Sequence, residues 1–269
     1  MFKTRLLSGI VLVIILIATV GYGGNVLFGV LALISLIGVK ELYQVVKVQN
    51  TLLGGVGYLA VIAYYVLVYM EKIDLMVFLS ILLLVLLMAV YVFSFPKFRA
   101  EQVMTVFFGV FYVAVMLSFI YQTRMLADGA YMVWLIFLSS WGCDTCAYCV
   151  GMLIGKHKMA PVLSPKKSVE GGVGGVIGAA LLGLLYAFAM NHWGNAGLDP
   201  VFCAITCGVG GIISQIGDLA ASAIKRNYEI KDYGKLIPGH GGIMDRFDSV
   251  IFTAPVVYWA IILLNSIGL

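Results

Sequence analysis

Apolar residues run along this chain in long blocks separated by short polar links. The blocks are continuous and lack the polar–apolar alternation of a transmembrane β-strand. Each approaches the ~20 residues that cross hydrocarbon as a helix. The pattern predicts nine spans, at about 6–22, 26–46, 52–70, 74–95, 103–121, 130–153, 172–190, 201–222 and 248–267. The first block has no clear small-x-small cleavage site and further spans follow it, so it reads as a span and not as a cleaved leader. The expected fold is an all-α, polytopic integral membrane protein with about nine transmembrane helices. One membrane domain is expected over 1–269. Its first part, 1–121, is almost wholly apolar; its second, 122–269, carries the chemistry and two long polar links, 155–171 and 223–247.

Composition agrees. The chain is 62% hydrophobic and 11% charged, and its mean hydropathy is +1.04, outside the range of soluble domains. The distribution of charge says more than its net value. With the N-terminus in the cytoplasm, 15 of the 17 Lys and Arg fall in or beside cytoplasmic links, and only Lys72 and Arg124 lie opposite. The positive-inside rule then places both long links in the cytoplasm and the C-terminus outside. The expected location is a bacterial cytoplasmic membrane, with the active site on its cytoplasmic side. No nucleic-acid partner is expected. All five cysteines lie inside apolar runs and give no disulfide framework.

Four polar clusters interrupt the second half. "SSWGCDTCAY" (139–148) puts Asp144 inside the sixth span, where an ionised carboxylate costs about 2.5–3.5 kcal/mol. It reads either as a helix-packing hydrogen bond or as a ligand in a hydrated cavity. Cys143, Cys146 and Cys149 beside it form a rotating stripe, which suits packing and not a tetrahedral cage. "SPKKSVEGG" (164–172) gathers Ser164, Lys166, Lys167 and Ser168. Lysines and hydroxyls suit phosphate, although basic residues in a cytoplasmic link need no further reason. Ser168 also fits a helix N-cap. The glycines after it lack Walker spacing; Gly171 with Gly175, and Gly174 with Gly178, are spaced for close helix packing.

Ser214, Asp218 and Ser222 recur every four residues and share a helix face, with Lys225 and Arg226 just beyond. That face is either a polar seam between helices or a metal and phosphate site. In "PGHGGIMDRFDS" (238–249), Asp245 and Asp248 share a face at the start of the last span, where the helix dipole favours carboxylates. Helix capping accounts for one of them, but not for both, nor for Arg246. The turn of Gly239, Gly241 and Gly242 lets backbone approach a ligand closely. His240 reads as a hydrogen-bond donor to substrate or a loop-fixing residue, since no second His is placed to help it hold a metal.

From Ser222 to Asp248 the chain reads Ser-x-Ile-Lys-Arg, then Lys231-Asp232-x-Gly234, then Ile237-Pro238-x-His240-Gly241-Gly242-Ile243-x-Asp245-Arg246-Phe247-Asp248. This closely resembles the signature of phosphatidate cytidylyltransferases, the CDP-diacylglycerol synthases. The resemblance extends upstream through the Asp218 face and "SPKKSVEGG" to the Asp144 span; the first five spans match only in being apolar. It implies a homodimeric helical membrane enzyme that takes CTP and phosphatidate to CDP-diacylglycerol and pyrophosphate with Mg2+, and with a monovalent ion such as K+ as a secondary candidate. It implies Asp218 and Asp245 as metal ligands, with Lys225, Arg226, Lys231, Arg246 and Asp248 around the reacting phosphates. Asp144, Ser164, Lys166, Lys167, Ser168, Ser222, His240, Gly241 and Gly242 are the expected substrate-binding residues.

Three other readings compete. A polyprenol kinase-like enzyme would use CTP to transfer its γ-phosphoryl group and release CDP. A CDP-alcohol phosphotransferase would need an Asp-Gly-x-x-Ala-Arg pattern, which is absent. A secondary transporter could run ions past Asp144 and Asp218, but transporters often show two related halves, and these halves look unlike.

Overall fold

The computed structural model describes residues 2–239 and 241–267. Among them, nine long helices account for most of the chain. They are α1 (Phe2–Tyr22), α2 (Gly24–Val45), α3 (Leu52–Tyr69), α4 (Met76–Phe93), α5 (Ala100–Arg124), α6 (Gly129–Ile154), α7 (Val169–Gly194), α8 (Pro200–Asn227) and α9 (Met244–Ser266). Helices α2 to α9 are long and apolar enough to cross a membrane, eight in all among the described residues. The expected first span lies in α1, a helix of 21 residues over Phe2–Tyr22. The protein is therefore an all-α, multi-pass membrane protein. Helices suit this setting because they satisfy their own backbone hydrogen bonds where no water can.

Helix ends follow local chemistry. Thr51 caps α3 by accepting from Gly54 N at 3.3 Å. Asp199 caps α8, accepting from Val201 N at 2.6 Å and Phe202 N at 2.9 Å, with Pro200 in the first turn. Proline suits that position because its missing N–H would have no helical partner there. The link between α6 and α7 is not plain coil. It forms an antiparallel hairpin, β1 (Lys158–Ala160) with β2 (Ser164–Ser168), the only strands among the described residues.

The chain divides into two compact units. Unit 1 takes the chain up to Thr19, Asn25–Ser118 and Asp232–Arg246; unit 2 takes Val20–Gly24, Phe119–Lys231 and Phe247 onward. In unit 1, buried polar pairs tie apolar helices together. Ser35 Oγ lies 2.7 Å from Tyr65 Oη, Tyr64 Oη lies 2.6 Å from Ser118 Oγ, and Tyr43 Oη donates to Val106 O at 2.8 Å. Such bonds hold helices where lipid offers no hydrophobic drive to associate.

Unit 2 is built on small residues. A Cβ placed on Gly171 would come within 2.7 Å of Ala147 O, and one on Gly175 within 2.9 Å of Cys143 O. On the neighbouring stripe, Gly174 faces Val150 and Gly178 faces Cys146. The spacing expected to pack helices closely does so, with α7 laid directly on α6. Cys143 is buried in the same packing, Cys203 and Cys207 are buried where α8 meets Gly183 of α7, and all five cysteines are free thiols.

Candidate active site

Helix α6 carries a π-turn at Leu138–Gly142, immediately before Cys143 and Asp144. One extra residue in a turn shifts the register of every side chain beyond it, and such turns are frequent at functional sites. Ser140 Oγ sits 2.7 Å from Ser249 Oγ on α9. Ser249 Oγ in turn reaches Asp144 Oδ2 at 3.5 Å, and Ser249 N donates to Asp248 Oδ1 at 2.8 Å. Asp144 and Asp248 thus meet through one serine. Asp218 on α8 is near enough for its charge to act on both.

Beside these carboxylates, unit 2 encloses a cavity of about 440 Å3. Asp144, Tyr148 and Gly151 line it from α6, and Gly171 and Gly172 from α7. Gln215 and Asp218 line it from α8, and Lys166, Lys167 and Ser168 from β2. Lys167 Nζ forms an ion pair with Asp218 Oδ2. Ser168 caps α7, accepting from Gly171 N at 3.1 Å, and is also part of the wall. The hairpin explains this placement: in a strand, β2 can swing its lysines over the cavity while its last residue starts a helix.

Several expected site residues therefore converge: Asp144, Lys166, Lys167, Ser168 and Asp218 share one cavity, and Asp248 feels the charge of Asp144, Asp218 and Lys225. Ser222 lies one turn past Asp218, and Lys225 and Arg226 occupy the last turn of α8. Ser164 stands at the far end of β2, paired with Ala160, and is not among the cavity-lining residues. Lys231 is exposed at the edge of unit 2. His240 lies outside the described residues.

The glycine turn belongs to unit 1. Asp245 Oδ2 accepts from Tyr233 N at 2.8 Å and from Gly242 N at 3.0 Å. Gly241 has φ +85°, and a Cβ there would approach Asp245 Oδ2 to 2.7 Å. Ile243 N and Met244 N donate to Glu41, at 3.1 and 2.9 Å. The amides of Gly242, Ile243 and Met244 thus donate within the protein, to Asp245 and to Glu41. Arg246 is half-buried, and its Nε is buried with no hydrogen-bond partner among the described residues.

Three residues in this network carry no mark in the sequence reading. Ser249 links two acids, Gln215 lines the cavity while its Nε2 donates to Gly172 O at 2.9 Å, and Glu41 reaches the turn from α2. The available signal is the same for all three: a polar side chain inside an otherwise apolar helix.

A model of the cytidylyltransferase family matches residues 3–264. A protein named phosphatidate cytidylyltransferase from Staphylococcus aureus (strain COL) is 32% identical over 264 residues, covering 95% of this chain and 97% of its own. Namesakes from Staphylococcus haemolyticus (strain JCSC1435) and Staphylococcus saprophyticus are 31% and 30% identical, each again over 95% of this chain and 97% of their own. With its apolar N-terminal helices included in the match as fully as the acidic cavity, the chain belongs to the cytidylyltransferase family.

Proposed function

We infer that this enzyme transfers CMP from CTP to phosphatidate, giving CDP-diacylglycerol and pyrophosphate for phospholipid synthesis. The observation that carries the reading is the cavity of unit 2, where carboxylates and lysines meet with no nucleophile–base pair. The names and coverage of the relatives support the same substrates. In the reaction, a phosphate oxygen of phosphatidate bonds to the α-phosphorus of CTP. The bond from that phosphorus to the α,β-bridging oxygen breaks, and pyrophosphate leaves with the electron pair. Phosphate monoesters have a second pKa of about 6, so the attacking group is mostly dianionic at neutral pH. Attack by one anion on another needs alignment and charge neutralisation more than a general base.

The residues fit Mg2+. Asp144, Asp218 and Asp248 offer hard oxygen donors within reach of one another's charge, and Asp218 already holds the ammonium of Lys167. No group of three acids, His or Cys is drawn into a full cage among the described residues. Mg2+ does not require one, since it is usually bound by one or two carboxylates plus substrate phosphates and waters. When bound, Mg2+ would neutralise charge on the phosphate oxygens. Asp218 would hold it. The pairing of Asp218 with Asp245 rests on the resemblance alone, as do a K+ requirement and a homodimer. Lys166 and Lys167 would contact phosphate at the cavity wall, and a role for Arg246 at phosphate rests on the resemblance. The charge asymmetry supports a cytoplasmic site, where a soluble nucleotide and a bilayer lipid can meet.

The decisive assay uses purified protein in detergent with phosphatidate, α-labelled CTP and Mg2+, resolving products by mass. CDP-diacylglycerol and pyrophosphate are expected; CDP with a phosphorylated lipid would establish the kinase reading instead. Asp245→Asn keeps an oxygen for the turn amides and removes the charge. If Asp245 binds metal, this variant folds and loses turnover. If it only braces the turn, turnover survives.

Lys167→Gln provides a second check. Removing the ammonium from Asp218 is expected to tighten Mn2+ binding in the absence of nucleotide, read by electron paramagnetic resonance, while turnover with CTP falls. Weaker Mn2+ binding would take Asp218 out of the metal site.

A further inference from the structure

Glu41 stands in α2, a helix with only one other charged residue, and is 5% exposed. A buried carboxylate without compensation is costly. The ion pairs among the described residues do not include it. Its compensation comes from backbone some 200 positions away: Oε1 accepts from Ile243 N at 3.1 Å, and Oε2 accepts from Met244 N at 2.9 Å. Met244 is the first residue of α9. The amides of a helix's first turn have no partner within the helix, and they carry the positive end of its dipole. Glu41 therefore supplies both acceptor and countercharge to the segment that bears Asp245 and Arg246.

The glycines of the signature fit around this carboxylate. A Cβ on Gly234 or on Gly242 would collide with the carboxylate oxygens of Glu41. At both positions an added side chain would have to displace the Glu41 carboxylate. Asp245 then fastens the other side of the turn through Tyr233 N and Gly242 N. One carboxylate from α2 and one from α9 hold the segment from both sides.

We propose that Glu41 is a positioning residue for the reaction: it fixes the start of α9, and with it Asp245 and Arg246, without touching substrate. The kinetic part of this proposal rests on the cytidylyltransferase reading above. Glu41→Gln keeps the side chain's shape but turns an amide donor toward a backbone N–H. Loss of a partner that orients a working group typically costs about 10–100-fold in activity. The expected result is a fall in kcat of about 10–100-fold, with CTP affinity by equilibrium dialysis within about 2-fold of wild type and an unchanged elution profile in detergent. Wild-type kcat would overturn the proposal, and so would loss of CTP binding in proportion to kcat.

Hydrogen–deuterium exchange across 241–246 reads the same positioning without any substrate. Selective loss of protection there in Glu41→Gln supports it; unchanged protection overturns it. If the wild-type protein makes no CDP-diacylglycerol while the exchange change appears, the failure belongs to the substrate reading and Glu41's role stands. Should Glu41→Gln not fold, Gly234→Ala crowds the same carboxylate from the other side, and the same exchange criterion applies to it.

Discussion

Asp218→Asn is expected to lower kcat for CDP-diacylglycerol formation by about 10²–10³-fold, the scale seen when one group that stabilises transition-state charge is removed. Asp218 combines three properties that no other acid here shares. It lines the cavity, it is ion-paired with Lys167, and its charge acts on both Asp144 and Asp248. Asparagine preserves its size, so the wall keeps its shape. The lost ion pair is partly exposed, with side chains 25% and 27% accessible, and such pairs contribute at most about 1 kcal/mol to stability. Activity should therefore collapse while the melting temperature barely moves. Steady-state kinetics in mixed micelles and a thermal melt of the same sample check both halves. A variant within about 3-fold of wild type would remove Asp218 from the machinery.

Gly175→Val should do the reverse, striking the fold first. Its added Cβ would lie 2.8 Å from Ala147 Cβ, 2.9 Å from Cys143 O and 3.0 Å from Cys143 Sγ. The second of these is backbone, which cannot turn aside as a flexible side chain can, and valine brings two further methyl groups. Overpacking of this kind costs about 1–3 kcal/mol and occasionally more. At about 2–4 °C per kcal/mol for a chain of this size, a loss of about 2–12 °C in detergent is expected. The same displacement would part α6 from α7, the helices that carry Ala147, Gly151, Gly171 and Gly172 into the cavity wall. Gly55→Ala is the control: nothing lies within 4 Å of the added Cβ, and alanine is the better helix former by about 1 kcal/mol. If Gly175→Val melts with wild type while Gly55→Ala behaves as expected, close packing of α6 on α7 does not limit stability.

The multi-pass helical fold was legible in residue order because hydrocarbon imposes a rule that needs no partner: apolar blocks of spanning length must be helices. The Ser168 cap and the glycine spacing of α7 were legible for the same reason, since both are local geometry. Asp218 and "SPKKS" were also joined in the sequence, though only through the family resemblance that extends upstream of the signature.

What sequence by itself determined, then, was the membrane setting, the family signature and the type of chemistry, because these depend on composition and on spacing within a helical turn or a short loop. The tertiary structure decided which carboxylates lie together. Ser249 joins Asp144 to Asp248 over more than a hundred positions, and Glu41 caps a helix that begins 203 positions later. The π-turn before Asp144 and the hairpin that carries Lys167 onto Asp218 set those partnerships. Periodicity places a residue on a face; which face meets which is settled only when buried polar groups must find partners across the fold.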